Sequence, residues 1–454
     1  MQISQLRHKW FSIPVELTGI KDFYEFVPVS AHVNFTKIVE RLGEDGIVDE
    51  RTIRLYRIDS DNREIDEPFQ FIPDNEPQHT QRHLNLETSD SVSWIAEWNS
   101  DRQPQSPHVK GTVSWIGRGI SRYSLIFAVP FDSTAVQVPF PPENLRHFDP
   151  EGKPTPVHWF PIMQIKPQYP LNGFVNIYDV ESLVTSYMVS GVRRSYFYPV
   201  NGPDGIGLTE LGKPHDPTGS HAHHYSLWVA HANIGGSDFW SERGGIISHK
   251  QFDEMEDGAL FARLVQKNDW AVNDIVLLKE RRNITIYATP DDFRLIDIEL
   301  DFSTGGQEPV EIGKTPFGFL AARVAQSMTV FDGGGEILNS LGQRNEQKAH
   351  WQNASWIDQS GPIAAGKWGG IALFDHPDNP GYPNAWHCRN DGWAGASFNL
   401  NKSWILEPGD NLIIKYRIHL HRHNAEEGEV ERRYEEYISS PIIKFGIPHI
   451  ISDN

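Results

Sequence analysis

Short runs of alternating apolar and polar residues, closed by proline, glycine or Asn/Asp turns, recur along the whole chain and restrict it to β-structure. VSAHVNF, IRLYRI, FQFI, SVSWIAEW, GTVSWI and RYSLIFAV are such runs in the first part of the sequence. GFVNIYDV, RSYFYPV, HHYSLWVAH, DIVLLKE, NITIYAT, FRLIDIELDFS, GGIALFDH and NLIIKYRIHLHRH follow in the second. Their β-branched and aromatic side chains suit a pleated, half-buried surface, and 37 glycines and 31 prolines supply the breaks. Only ESLVTSYM and DGALFARLVQKN admit a short helix. The expected class is all-β.

At 454 residues the chain exceeds one typical core. Residues 1–138 are expected to form an N-terminal β-sandwich of immunoglobulin-like type. A proline-rich linker follows over 139–170, and a large two-sheet supersandwich of the sugar-mutarotase kind over 171–454. About a dozen strands in the last part exceed what an immunoglobulin-like sandwich carries. Lys and Arg total 41 against 60 Asp and Glu, a formal charge of −19, which argues against nucleic acid as a partner. The single cysteine, Cys388, excludes an intramolecular disulfide and a zinc-thiolate cluster. No apolar run reaches membrane-spanning length, and MQISQLRHKWFSIPVEL lacks a signal-peptide core. The expected location is cytoplasmic, or periplasmic or secreted if a signal has been removed. A homo-oligomer is left open.

Four histidines (His221, His223, His224, His231), two tryptophans (Trp228, Trp240), Asp238 and Glu242 crowd into Ser220–Glu242, an inventory no ordinary core strand needs. Read as one strand, His223 to His231 places His223, Tyr225, Leu227, Val229 and His231 on one face. His224, Ser226, Trp228 and Ala230 then take the other. Straight, that strand separates His223 from His231 by roughly 26 Å, too far to share a metal. His221 and His223 are close enough to share one, with His387 as a third ligand, so a divalent metal is kept as an alternative and no cofactor is assigned. The Gly235-Gly236 pair predicts a turn that brings Asp238 and Glu242 back towards the strand.

A second rich stretch, Trp368–Trp393, runs from a strand into a proline-framed loop with Asp375, His376, Asp378, Trp386, His387, Arg389 and Asp391. A third holds Arg193, Arg194, Tyr196 and Tyr198, which suit a sugar edge or a structural ion pair. The alternating His419, His421 and His423 read as a solvated strand end rather than a metal stripe. Glycoside hydrolysis needs two carboxylates, about 5 Å apart in retaining enzymes, for which Asp238, Glu242, Glu280, Asp375 and Asp391 are available. Elimination or mutarotation needs a His or Tyr base beside a cationic group, which His224, His231, His387 and Arg389 supply. No P-loop, dinucleotide fingerprint, nucleophile elbow or HExxH is present.

RRSYFYPV, GPDGIGLT, HAHHYSLWVAHANIGGSDFWSE and GIALFDHPDNPGYPNAWHCRNDGW resemble, in that order, the signature blocks of the PmoA-like family of unknown function. The matching positions are Tyr196, Phe197, Pro199, His221, His223, His224, Leu227, Trp228, Ala230, His231, Gly236, Asp238, Phe239 and Trp240. In the later block they are Asp375, His376, Pro377, Asn379, Pro383, Trp386, His387 and Arg389. Ser195, Ser220, Ala222 and the Ala232–Ile234 segment depart from the pattern. The resemblance covers roughly residues 171–448 and implies a mutarotase-like supersandwich in a carbohydrate-utilisation setting.

The expected function is cleavage of a glycosidic bond in an oligosaccharide or polysaccharide fragment, by hydrolysis or β-elimination. A sugar epimerase or mutarotase and a non-catalytic glycan-binding protein are the alternatives. His224, His231 and His387 are the expected acid/base groups, Asp238 and Asp375 the carboxylates, and Arg389 the grip on a substrate oxygen. Tyr196, His223, Trp228, Glu242, His376 and Trp386 are expected to bind the sugar, the tryptophans by stacking.

Overall fold

Alternation in the sequence becomes strand in the structure, a computed structural model that describes residues 8–74, 108–130, 147–148, 154–155, 163–168, 173–212 and 221–451. The strand expected over SVSWIAEW and most of the proline-rich linker lie outside the described residues. The protein is all-β, built from antiparallel sheets. Among the described residues no helix is long and apolar enough to cross a membrane.

The chain divides into two compact units. In the first, His8–Thr18, Ser121–Pro130, Asp49–Ile58 and Glu64–Asp66 form one sheet, and Val27–Asn34, Lys110–Gly117 and Phe69–Pro73 another. Their inward residues meet in a sandwich core, where Phe11 stacks on Phe127 at 5.2 Å and Trp115 meets Tyr123 edge-on at 5.7 Å. The sequence reading carried the second domain to residue 454. In the structure Ile442–Phe445 and His449–Ile450 instead pair with His8–Thr18.

The second unit holds the described residues between 163 and 438. Its nine-stranded sheet runs Met163–Pro167, Phe174–Asp179, Ser182–Met188, Tyr196–Val200, Leu227–His231, Gly318–Arg323, Trp393–Ser397, Ala385–Arg389, Gln352–Asn353. The eight-stranded sheet runs Ile246–Glu256, Phe261–Val272, Ile275–Tyr287, Phe293–Thr304, Leu412–Arg422, Lys367–Asp375, Trp356–Ala364, Glu336–Asn339. One large apolar core joins them. Register then fixes which side chains of the nine-stranded sheet share a face. Tyr196, Trp228 and Ala321 stand opposite one another, then Gly395 and His387. Phe197, Leu227, Ala322, Ala394 and Cys388 take the opposite face, the one from which Tyr187 reaches Gln266 of the eight-stranded sheet, so the first set stands on the outer face, where Tyr196, Trp228 and Ala321 are buried as well.

Three expectations are corrected here. Both stretches admitted as helix are strand, Ser182–Met188 and Phe261–Val272, because each pairs along its length within a sheet. The short helices lie at Phe35–Arg41, Asn345–Ala349 and Val430–Tyr437. His419 and His421 are wholly buried rather than solvated: His421 Nε2 lies 2.8 Å from Asp358 Oδ1, and His419 sits against Phe293 and Phe374.

Between the sheets lies a buried polar network. Arg282 donates to Glu280 through Nε at 2.6 Å and Nη2 at 3.0 Å, and Trp270 Nε1 and Asn268 Nδ2 donate to the same carboxylate. Arg282 Nη1 also reaches Tyr187 of the facing sheet at 3.0 Å, and Tyr187 donates to Gln266 Oε1. Glu280 is thus a core group rather than one of the available catalytic carboxylates. Removing one partner of such a pair strands a buried charge, so Glu280→Ala is expected to cost about 3–5 kcal/mol. Urea unfolding measures it, with Glu280→Met/Arg282→Met together losing less than the single change.

Candidate active site

The stretch from His221 to Glu242 does not form one strand. The strand covers Leu227–His231 only, because Ser226 adopts a positive φ of 59° that ends the alternation and turns the preceding histidines back over the sheet. His224 consequently lies on Trp228, rings 5.2 Å apart and near parallel, and 5.2 Å from Trp393. At the strand's other end Gly235 (φ 55°) and Gly236 (φ 80°) reverse the chain, a conformation glycine adopts at no steric cost. The reversal lays Trp240 against Trp228 at 5.3 Å, against Trp393 at 5.6 Å and on Phe317 at 5.4 Å. Phe317 stacks in turn on His387. An aromatic layer therefore coats the outer face of the nine-stranded sheet, and small residues beneath it, Ala321 and Gly395, leave room for the rings.

Two buried arginines fasten the histidine turn to this layer. Arg194, 1% exposed, donates to the carbonyls of Phe239, Trp240 and His223, lies over the Tyr225 ring, and comes within 3.7 Å of Glu242 Oε1. Arg323 donates from Nε to His224 Nδ1 at 3.1 Å and from Nη1 to the Asp391 carbonyl at 2.8 Å, and its Nη2 lies 3.8 Å from Asp391 Oδ2. The first contact makes Nδ1 of His224 an acceptor and places its proton on Nε2. Glu242 is held at a positive φ of 64° and accepts from Tyr225 Oη at 3.1 Å, while Tyr225 stacks on Tyr196. Asp391 Oδ2 lies 4.0 Å from His221 Nε2, and Asp391 Oδ1 lies 3.6 Å from Arg389 Nε. Glu242 and Asp391, whose side chains are 18% and 12% exposed, thus flank one turn, and His223 of that turn is partly open to solvent.

Burial dominates the proton chemistry. It pushes the His223 pKa down to about 4, with Arg194 and His221 adding to the effect. It pushes His387 down to about 3, aided by His350 and Arg389, and His224 far below the ordinary imidazole range, aided by Arg323. All three are neutral at physiological pH.

Several expected site residues serve the scaffold. His231 is fully buried in the core with both ring nitrogens committed: Nδ1 accepts from the Asn233 amide and Nε2 lies 3.1 Å from Asn399 Oδ1. Asp238 caps its own turn, accepting from the amides of Trp240 and Ser241 and from the Ser241 hydroxyl. Asp375 is buried and accepts from Asn379 Nδ2, the Asn384 amide and Asn384 Nδ2, which pins the proline-framed loop; burial raises its pKa to about 6. His376 packs on Tyr437 and accepts from the Asp378 amide. Trp386 points into the core and donates to the Ala354 carbonyl, and Trp228 is 1% exposed beneath His224, so neither offers a ring face to a sugar. His387 is 8% exposed, 4.2 Å from Trp393, and among the described residues its Nδ1 has no hydrogen-bond partner. The rings of His221 and His223 are 6.5 Å apart, and among the described residues no three metal-ligating side chains converge on a common point.

Arg323, Phe317 and Trp351 were not singled out from the sequence. For Arg323 a signal was there, a lone charge inside the apolar strand GFLAARVA; Phe317 and Trp351 carried none.

Residues 175–435, more than half of the chain, match a family of unknown function, DUF6807, and the chain belongs to it. No curated protein matches the sequence. Among solved structures, the chain is similar to a glycosyl hydrolase family 38 protein from Enterococcus faecalis at 8% identity and a TM-score of 0.40, covering 96% of this chain and 47% of that one. An α-mannosidase from Enterococcus faecalis V583 gives 9% identity and 0.39, covering 97% and 46%. A mutant of heparan sulfate lyase HepC from Pedobacter heparinus gives 8% and 0.30, covering 66% and 44%. The chain spans less than half the length of each, and at these scores the likeness says nothing about activity.

The depressed histidines predict acid sensitivity. His231 and His387 have folded pKa values of about 4 and about 3, below the unfolded value near 6.5, so between these limits the unfolded chain binds more protons and stability falls as pH falls. Each is expected to contribute a slope of up to about 1.4 kcal/mol per pH unit in that window. The His421–Asp358 pair has the opposite sign, since His421 is raised: burial lowers its pKa, but Asp358 outweighs it, and its contribution is lost as pH rises. Urea midpoints measured from pH 7 to pH 4 are expected to drop with a slope exceeding one proton.

Proposed function

We propose that this member of the DUF6807 family is a carbohydrate-active enzyme that cleaves a glycosidic bond in an oligosaccharide or polysaccharide fragment, at the outer face of its nine-stranded sheet. One observation carries the reading: two acidic side chains, Glu242 and Asp391, each beside a buried arginine, flank a single histidine turn. Glycoside hydrolysis needs one carboxyl group to protonate the leaving oxygen and a second to activate water or attack the anomeric carbon. Glu242 and Asp391 take those roles in place of Asp238 and Asp375, whose oxygens are committed to the scaffold. Neutral His223 of the same turn accepts hydrogen bonds from sugar hydroxyls, and Arg389, 44% exposed in its side chain, grips a substrate oxygen. His224, Arg194 and Arg323 are positioning residues. The N-terminal unit is a structural or binding appendage in this reading.

Elimination is the second reading, favoured by Tyr225, whose hydroxyl shares a hydrogen bond with Glu242 beside the buried Arg194. There a base removes the proton next to a uronate carboxylate, the C–O bond to the leaving sugar breaks, and a tyrosine or histidine returns a proton to that oxygen.

Mass spectrometry after incubation with a broad oligosaccharide panel tests both. Fragments that gain one water mean hydrolysis, and an unsaturated fragment without that water means elimination. Unchanged mass in every substrate overturns the proposal. Glu242→Gln and Asp391→Asn are each expected to lower turnover by about 10²–10⁴-fold in a protein that keeps its folded far-UV circular dichroism spectrum, with a lower thermal midpoint because each change takes a negative charge from beside a buried arginine.

A further inference from the structure

The tryptophans expected to stack on sugar are buried, yet one unassigned tryptophan is displayed on the same face. Trp351 directly precedes the edge strand Gln352–Asn353, and its amide donates to the Trp386 carbonyl at 2.7 Å. The residue is 48% exposed. Its backbone has a positive φ of 57°, a left-handed conformation that a bulky side chain rarely adopts and that costs of order 1–3 kcal/mol.

The surroundings hold the ring in place. His350 lies 4.4 Å from the indole, tilted by 32°, and is itself fixed by a 2.8 Å contact between its Nδ1 and the Cys388 carbonyl. His387 lies 4.6 Å from His350 and 6.0 Å from Trp351. From His387 the ring contacts continue through Trp393 at 4.2 Å to His224 at 5.2 Å, so Trp351 ends the aromatic layer that carries the histidine turn. A rigid indole, supported on one side and nearly half in water, presents an apolar surface matching the C–H face of a pyranose, at little entropic cost.

We propose that Trp351 forms a sugar-binding subsite, stacking on a pyranose ring one or more residues away from the bond being cleaved. The inference rests on the carbohydrate reading of the Glu242–Asp391 site and extends it to substrate length. A subsite of this kind contributes affinity that grows with the oligosaccharide, while the bond-breaking groups act at a distance from it.

The test is calorimetric titration of gluco-, manno- and xylo-oligosaccharides, from disaccharide to hexasaccharide, into wild type, Trp351→Ala, Trp351→Phe and Trp351→Gly, with product release measured in parallel. Trp351→Ala and Trp351→Gly are expected to weaken hexasaccharide binding about tenfold, with a smaller loss for shorter chains, and Trp351→Phe to lie between them and wild type. Glycine relieves the positive φ, so Trp351→Gly is expected to melt above Trp351→Ala, which separates lost stacking from lost stability. Equal length dependence in wild type and Trp351→Ala overturns the subsite, as does a wild type that binds no oligosaccharide in the panel. Product release with binding unaltered by Trp351→Ala removes the subsite and keeps the cleavage. Weakened binding in a protein that releases no product keeps the subsite and removes the cleavage.

Discussion

The contact between Arg282 and Glu280, sealed in the core and extended to Tyr187 of the facing sheet, fixes how the two sheets of the second unit meet. An apolar interface alone tolerates sliding, because dispersion and area burial are nearly indifferent to small shifts. A buried ion pair is not indifferent, since a displacement that breaks one of its hydrogen bonds leaves charge in a low-dielectric interior. Burial opposes the Arg282 charge, but Glu280 and Tyr187 outweigh it and hold its pKa above the ordinary value. Within the nine-stranded sheet, strand register and side-chain alternation then determine which residues stand on its outer face.

On that outer face, structure and chemistry share side chains. Arg194 and Arg323 each hold a backbone carbonyl and also stand near a carboxylate, so the same guanidinium that fastens the histidine turn sets the field at Glu242 or Asp391. Burial lowers the Arg194 pKa only to about 10, which leaves the charge in place at neutral pH. Glu242, Ser226 and Trp351 all carry positive φ, and these departures from relaxed geometry lie along one surface of one sheet. Strain of this kind persists only where surrounding contacts over-determine it, and here the two arginines and the aromatic layer supply those contacts.

How far the site was legible shows in particular residues. His221, His223, His224 and Glu242 could be picked out because polar groups were crowded where a core strand has no use for them. The period-two sorting failed at Ser226, since a single positive φ is invisible to a pattern of hydrophobicity. His231 was legible as unusual but not as structural: its two hydrogen bonds come from Asn233 nearby and from Asn399, far along the chain. Asp375 was misjudged for the same reason, because Asn379 and Asn384 share its loop yet nothing in their spacing says that they close on it. His419 and His421 looked solvated beside a charged segment, until that segment folded as Val430–Tyr437 and became part of the cover over them.

The sequence by itself determined the β-class, the strand positions in most of the second unit, the turn at Gly235-Gly236 and the concentration of histidines before the Leu227–His231 strand. These are local properties, set by side-chain alternation and by the torsions a residue can adopt. Only the tertiary structure decided that Arg323 would support His224, that Asp391 would stand across the same turn from Glu242, and that Trp351 rather than Trp228 or Trp386 would meet solvent. Each of those outcomes depends on which strands become neighbours and in what register, and cross-strand pairing joins residues 70 to 95 positions apart that carry no local mark of one another.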